Sequence, residues 1–260
     1  MKKVLLGFLG GVLMAVSTPT VATAADDWKF SVAPYLWGAG VDGTLTVMGH
    51  EADVDLSFED ILDDLDVGAM VNLQARKDRF GLYADVLFLK VSDTSDVTNP
   101  AGATILEATT ETEQWVVDFG ASWEVASWVK CGEKTGFVDL IAGGRYWSVE
   151  SEIESDRPVF GGDGKVEKTM EWVDPIVGAR FFTTLTPRMS LIGRADVGGF
   201  DIGDASELTW SASAYLGWHF TPLVSGWFGW KYLSVEREAD RDNVVDLALS
   251  GPVLGVAFTF

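Results

Sequence analysis

Residues 208–220 read LTWSASAYLGWHF, and this stretch decides the predicted fold. Its even-numbered positions are apolar from Leu208 to Phe220, whereas its odd-numbered positions are small, polar or aromatic with a polar tip. Side chains alternate between the two faces of a β-strand. The stretch therefore predicts a strand with one apolar face and one polar face.

The same alternation recurs along the chain and predicts ten strands. They are residues 28–37, 67–76, 80–88, 115–123, 138–146, 171–183, 189–199, 208–220, 224–235 and 244–260. Eight strands would result if the first and last segments were miscounted. Twelve would result if residues 41–47 and 51–56 formed an additional pair.

Composition narrows the class of protein. The chain has 260 residues, of which 47% are hydrophobic, and a formal net charge of −20. The hydrophobic content excludes intrinsic disorder, and the acidic balance argues against a nucleic-acid partner. The single cysteine, Cys131, excludes an internal disulfide framework; an inert thiol is favoured over intermolecular pairing.

The N-terminal segment has the pattern of a secretory signal peptide. Lys2 and Lys3 precede an apolar stretch over residues 4–16, and Ala22-Thr23-Ala24 resembles a cleavage site. We therefore expect residues 1–24 to be a signal peptide and residues 25–260 to form one domain. Beyond residue 24 no apolar run reaches 18 residues, so a transmembrane helix is not expected.

Aromatic spacing and turn lengths favour a closed barrel. Apolar faces begin and end with aromatic residues eight positions apart, at Phe80 and Phe88 and at Trp115 and Trp123. Eight tilted strand residues rise roughly 20 Å, close to the ~25 Å apolar band of transmembrane barrels. Short and long predicted links alternate. The prediction is an all-β, closed antiparallel transmembrane β-barrel, with short periplasmic turns and long acidic outer loops, rather than a soluble β-sandwich.

Here the sequence resembles a family. Together with the signal pattern and the strands, the ending Leu254-Gly255-Val256-Ala257-Phe258-Thr259-Phe260 resembles bacterial outer-membrane β-barrel proteins. Residues 33–37 (APYLW) and 57–62 (SFEDIL) are similar to small uncharacterised barrels of Gram-negative bacteria. The resemblance implies an outer-membrane location and recognition of Val256, Phe258 and Phe260 by the barrel-assembly machinery. No motif in it implies a substrate.

Charged residues on the polar faces predict an ionic network inside the barrel. Its predicted members are Asp85, Asp118, Asp139, Arg145, Asp174, Arg180, Arg194, Asp196 and Lys231. Charges of both signs in a narrow interior should pair, because unpaired buried charges are unfavourable. A lumen filled by side chains is favoured over a narrow or gated charged pathway, since wide pores need about 16 strands.

The predicted outer loops are strongly acidic. They lie at residues 39–66, 92–113, 150–171, 200–208 and 236–246. Such a rim attracts cations and would contact outer-membrane lipid and lipopolysaccharide through divalent cations, although simple solvation of the rim is the plainer interpretation. Within the first loop, Ser57 and Asp60 predict a capped helix with Ile61, Leu62 and Leu65 on one face, either on the surface or as a plug.

Catalytic signals are weak. The two histidines are His50, beside acidic residues in the first outer loop, and His219, facing inward at the periplasmic side. No standard nucleophile, metalloprotease or phosphate-binding motif is present. We therefore predict no catalytic, cofactor or metal site, and a monomer with a structural or small-solute and cation permeability role. The alternatives are an omptin-type surface hydrolase using His50, or an adhesion surface.

Overall fold

The computed structural model describes residues 28–47, 50–98, 104–130, 133–155, 165–240 and 243–260. The predicted signal peptide and Cys131 lie outside these residues. The elements are β1 (Lys29–Trp37), β2 (Gly40–Val47), β3 (His50–Leu56), α1 (Phe58–Asp63), β4 (Leu65–Lys77), β5 (Phe80–Thr98), β6 (Thr104–Lys130), β7 (Glu133–Ser155), β8 (Lys165–Thr186), β9 (Met189–Gly199), β10 (Leu208–His219), β11 (Val224–Asp240) and β12 (Asn243–Thr259).

Ten strands close into an antiparallel barrel. Each strand from β4 to β12 pairs with its neighbour along the chain, and β1 pairs with both β4 and β12. The predicted ten-stranded barrel is thus confirmed. Residues 41–47 and 51–56 do pair, as the twelve-strand alternative supposed, but they add no strand to the ring. β2 instead continues β1 along β12 in one register, with Trp37 opposite Val253 and Gly40 opposite Ser250.

The two ends of the barrel differ. One end, called the base, carries Lys29, Thr259 and the short turns at residues 78–79, 187–188 and 220–223. The other end, called the rim, is built from strands much longer than predicted. β6 has 27 residues, or about 90 Å of strand, and rises about 70 Å at a ~40° tilt. Most of the predicted outer loops are therefore strands. The predicted loop over residues 200–208 is the one that remains a link between strands, except that Leu208 begins β10.

The lower barrel, from the base to the level of Trp115, Tyr146 and Val173, has an apolar exterior. Its outward side chains include Leu36, Leu82, Trp123, Leu140, Leu216, Phe228 and Leu254, which are 47–72% exposed. The aromatic residues Phe80, Trp115, Trp123, Trp210 and Trp218 also face outward. This band is the surface that lipid would cover.

The upper barrel, above that level, consists of two four-stranded sheets. One contains the far ends of β5 to β8, and the other contains β11, β12, β2 and β3. β9 and β10 end at Gly199 and Leu208, which leaves a gap between β8 and β11. On the opposite side, α1 interrupts the return from β3 to β4. Apolar residues of the two sheets pack against each other between them.

Polarity inverts between the two halves. On β7, the outward positions change from Leu140 and Ala142 in the lower barrel to Glu150 and Glu152 in the upper barrel. The inward positions change from Asp139 and Arg145 to Trp147 and Val149. The lower barrel is apolar outside and ionic inside, whereas the upper barrel is acidic outside and apolar inside.

The predicted capping box opens α1. The Ser57 hydroxyl accepts a hydrogen bond from the Asp60 backbone N–H, and the Asp60 carboxylate accepts from the Ser57 backbone N–H. The Ser57 hydroxyl also donates to the Asp60 carboxylate at 2.6 Å. This hydrogen bond, followed by the one from the Ser57 backbone N–H, lowers the pKa of the Asp60 carboxyl. None of the helix residues is buried, so α1 is a surface helix rather than a plug. No helix in the described ranges is long and apolar enough to span a bilayer.

Candidate functional site in the barrel interior

The centre of the lumen holds a network built around Arg145 of β7. Its guanidinium donates to both oxygens of Asp118, at 2.6 and 3.0 Å, and to Asp196 at 2.8 Å. Arg194 of β9 donates to the same two carboxylates, at 3.0 and 2.9 Å. Arg145 is only 1% exposed. Two arginines and two aspartates therefore neutralise each other across β6, β7 and β9, in a place where an unpaired charge would be strongly unfavourable.

A second cluster lies nearer the base and centres on Asp139. Arg76 donates to it at 2.8 Å and Arg180 at 2.6 Å, so two strands on either side of β7 are tied to one fully buried carboxylate. Arg76 also pairs with Glu124, and its guanidinium lies 4.1 Å above the centre of the Phe137 ring. These contacts fill the lumen between β4, β6, β7 and β8.

Asp174 of β8 is buried without a cationic partner among the described residues. Its oxygens accept hydrogen bonds from the Trp147 indole at 2.8 Å and from the Ser206 backbone and hydroxyl at 2.7 and 3.0 Å. The Trp172 indole donates to both Asp174 and Ser206. The carboxylate therefore fastens the β9–β10 turn to the wall at the level where the upper barrel begins.

An apolar layer closes the lumen just above these ionic groups. This layer, called the septum, contains Trp37, Leu87, Val116, Trp147, Trp172, Leu233, Val235, Leu249 and Val253, none more than 6% exposed. Its members come from β1, β5, β6, β7, β8, β11 and β12, so they converge from around the ring. The Trp147 and Trp172 rings stack with centroids 5.5 Å apart. Such packing leaves little room for water between these side chains.

Below the septum, a cavity of about 330 Å³ occupies the lower lumen. Asp85, Arg194 and Lys231 line its ceiling, and lining residues reach the base at His219 and Thr259. Phe137, Phe182, Tyr215 and Trp227 supply aromatic walls. The interior is thus divided into a closed upper part and a polar and aromatic chamber on the base side.

All nine of the sequence-predicted lumen residues face the interior, but they do not form one network. Asp118, Arg145, Arg194 and Asp196 form the central group, and Asp139 and Arg180 belong to the second. Asp85 and Lys231 form a looser pair with a 3.7 Å separation. Asp174 stands apart with tryptophan and serine partners.

Sequence reasoning missed two kinds of interior residue. Glu124 is 3% exposed and pairs with Arg76, and the alternation of β6 would have reached it had the predicted strand not ended at residue 123. The septum was missed because Trp147, Trp172 and Leu233 lie on the face that is polar lower in the same strands. Continuing the alternation while allowing the apolar face to switch would have found them.

The two histidines are far apart along the barrel. His50 begins β3 at the rim, and its side chain lies outside the described part of the structure. His219 ends β10 at the base and lines the cavity. Among the described side chains, no group of three or more histidine, cysteine, aspartate or glutamate residues is arranged to hold a metal ion.

The residues of the C-terminal pattern lie on the outer face of β12. Val256, Phe258 and Phe260 are 39%, 44% and 65% exposed. The Phe260 backbone exchanges hydrogen bonds with Phe30, and the two rings stack at 6.3 Å. The last residues therefore complete the seam between the first and last strands.

No family model and no curated protein match the chain. Among solved structures, it is similar to the outer membrane protease OmpT from Escherichia coli, with a TM-score of 0.59 and 10% identity over 93% of this chain and 99% of OmpT. The translocator domain of autotransporter NalP from Neisseria meningitidis gives 0.45 and 13% over 92% and 90% of the two chains. Ail from Yersinia pestis gives 0.35 and 9% over 90% and 99%. The chain has the fold of Gram-negative outer-membrane β-barrel proteins, and likeness at such identity carries no residue roles.

Proposed function

We propose that this chain is a monomeric, non-conducting outer-membrane protein whose barrel holds a tall acidic platform at the cell surface. The observation that carries the proposal is the septum, because its side chains meet across the lumen and are 1–6% exposed. Ions need a hydrated or charge-lined path. A layer of tryptophan, leucine and valine offers neither.

The outward surfaces support the membrane placement. The apolar exterior of the lower barrel suits lipid, and the acidic exterior of the upper barrel suits water. At the level where they meet, Tyr146 donates a hydrogen bond to Glu171 at 2.8 Å. Just above, Lys90 bridges Glu111 and Glu113 on the neighbouring strand. In this orientation the rim faces outward, the base faces the periplasm, and divalent cations bridge the acidic side chains to lipopolysaccharide.

The exposed C-terminal side chains support recognition by the barrel-assembly machinery. Phe258 and Phe260 lie on the outside of the strand that closes the ring, where a partner reaches them before closure. This part of the proposal concerns assembly and is independent of whether the finished barrel conducts.

Planar-bilayer recordings test the non-conducting role. The protein should give no current steps in potassium chloride from 0.1 to 1 M. The combined substitutions Leu87→Ala, Leu233→Ala and Leu249→Ala should open a leak. All three leucines belong to the septum, and each comes from a different strand. A matched outer set, Leu140→Ala, Leu216→Ala and Leu254→Ala, should stay silent.

Gel mobility before and after boiling establishes that each variant is folded. Reproducible cation-selective steps from the unaltered protein would overturn the non-conducting role. They would favour the permeability role, for which the cavity reaching from the base to the ionic network is the supporting observation.

A surface hydrolase remains the second candidate, because OmpT, the similar structure described above, is a protease. The candidate base is His50, at the start of β3 and close in sequence to Glu51 and Asp53. Cleavage of a peptide mixture that is abolished by His50→Ala and kept in His219→Ala would support it. An acidic adhesion surface is tested by binding assays on a chain lacking residues 39–56.

A further inference from the structure

The cavity below the septum is lined by more cationic than anionic side chains. Arg180, Arg194 and Lys231 line it together with two acidic residues, Asp85 and Asp118. This positive lining contrasts with the whole chain, whose formal net charge is −20. The cationic side chains remain 13–16% exposed, whereas Arg145 behind them is 1% exposed. Three cations therefore reach the chamber itself.

The acceptors around these cations are already in use. Asp118 accepts two hydrogen bonds from Arg145 and one from Arg194. Asp85 accepts a 2.6 Å hydrogen bond from the Tyr35 hydroxyl. The Asp118 carboxylate therefore has little capacity left for a cationic guest, and the Asp85 carboxylate is shared between Tyr35 and Lys231.

The donors, in contrast, are incompletely used. Lys231 carries three N–H groups, yet the described residues give it one hydrogen bond, to the Tyr35 hydroxyl at 3.5 Å, and the 3.7 Å ion pair with Asp85. Arg194 uses Nε and one Nη atom on Asp196 and Asp118, and no described residue accepts from its other Nη. A buried cation with unused donors favours an anionic partner.

Strand register places these donors side by side. Ser213 of β10 lies opposite Arg194 of β9 on one side and opposite Lys231 of β11 on the other. All three residues line the cavity. Because adjacent strands are about 4.8 Å apart, the row Arg194–Ser213–Lys231 sets a hydroxyl between two cations on neighbouring strands, an arrangement that suits a carboxylate or phosphate group.

Apolar walls lie beneath this row. Ile192 follows Arg194 toward the base on β9, and Tyr215 and Trp227 face the same space, with their rings 4.7 Å apart. The cavity volume of about 330 Å³ lies at the small end of the range for ligand pockets. The space suits a charged head group with a short hydrocarbon chain.

We propose that this cavity binds a small amphipathic anion, with its carboxylate or phosphate on the Arg194–Ser213–Lys231 row and its short apolar chain against Ile192, Tyr215 and Trp227. The guest enters from the base, since the septum closes the other side. Binding here requires no passage across the barrel, so the site is independent of the non-conducting role.

Calorimetric titration of the purified full chain in a neutral maltoside detergent at low salt tests the site. The probes are hexanoate and hexyl phosphate, with hexyltrimethylammonium as the matched cation. We expect at least one anion to bind and the cation not to bind, and the preferred anion identifies the head group. No binding of either anion, or equal binding of the cation, would overturn the proposal.

Two variants locate the head group. Lys231→Met should weaken anion binding about tenfold or more, because it removes a charged hydrogen bond. Ser213→Asp should abolish it by placing a carboxylate between the two cations, and it is informative even if Lys231→Met fails to fold. Lys90→Met, on the outside of the upper barrel, should bind as the unaltered chain does. A folded Ser213→Asp protein that binds the anions with unchanged affinity would refute the assignment.

Discussion

The lower and upper barrel use the same strands with opposite polarity. In the lower barrel, Leu140 of β7 faces outward and Arg145 is buried among carboxylates. A few residues further along the same strand, Trp147 is buried and Glu150 lies on the outside. Backbone pairing continues through the change. Hydrogen bonding therefore builds the barrel wall, whereas the surroundings of each half decide which face is apolar.

The contrast has a consequence for stability. Burying apolar side chains drives folding where the outside is water, so the upper barrel resembles a β-sandwich with its core between two sheets. Where the outside is lipid, that driving force is absent. There ion pairs and hydrogen bonds hold the interior in one arrangement, as Arg145 and Asp139 do by each joining several strands.

Removing the central arginine should have the largest effect. Arg145→Leu leaves Asp118 and Asp196 without their main partner, and the free energy of unfolding should fall by about 3–5 kcal/mol. Denaturant titration in detergent micelles, followed by tryptophan fluorescence, measures the change.

The matched variant is Lys90→Leu, which removes the surface ion pairs with Glu111 and Glu113 in the upper barrel and should change the unfolding free energy far less than Arg145→Leu does. Equal losses of unfolding free energy in the two variants would mean that ion pairs contribute equally to stability in the lower and upper barrel.

The second largest effect is expected from a lysine on the outer face, which should destabilise the lower barrel but not the upper barrel. Ala142→Lys places a charge in the apolar exterior of β7, where about 2–4 kcal/mol of destabilisation is expected near the bilayer midplane. Glu150→Lys, on the same strand and face in the upper barrel, should change stability by less than about 0.5 kcal/mol. Refolding into lipid vesicles with denaturant titration measures both. A larger loss from Glu150→Lys would contradict the assigned boundary.

The smallest expected effect is a pH-dependent loss of stability in α1. The lowered pKa of Asp60 means that its capping contribution is fully present above the ordinary value of 3.8 and is lost as the pH falls through the lowered folded value. Amide hydrogen exchange should therefore show α1 losing protection below that pH while the barrel keeps its own. Asp60→Asn should remove the pH dependence. An α1 whose protection is the same at pH 5 and pH 2.5 would exclude this role for the cap.

The sequence predicted the lower barrel well because lipid enforces strict alternation. β9 was predicted with its observed bounds, and the start of α1 followed from Ser57 and Asp60. The upper barrel was mistaken for loops because residues such as 148–154 read as a polar run, although Val149 and Ile153 alternate with glutamates and serines. Strand pairing likewise continues past the predicted strand ends at residues 123 and 138, since Lys130 pairs with Glu133.

The interior was less predictable because contacts across the lumen depend on strand stagger. Single-strand patterns show that Arg145 and Asp174 face inward, and the two lie directly opposite in register. Nevertheless Arg145 pairs with Asp118 and Asp196, and Asp174 pairs with Trp147 and Ser206. Only the closed geometry of the ring decides which inward groups meet.

Site-directed spin labelling along the outer face of β7 tests the polarity inversion most directly. Labels at Leu140→Cys, Tyr146→Cys and Glu150→Cys, with Cys131 replaced by serine, are compared in vesicles for access to oxygen, which dissolves in lipid, and to a water-soluble nickel chelate. We predict that oxygen dominates at 140, the chelate dominates at 150, and the crossover lies near 146. A label at 150 shielded within lipid, or a label at 140 open to the chelate, would contradict the account.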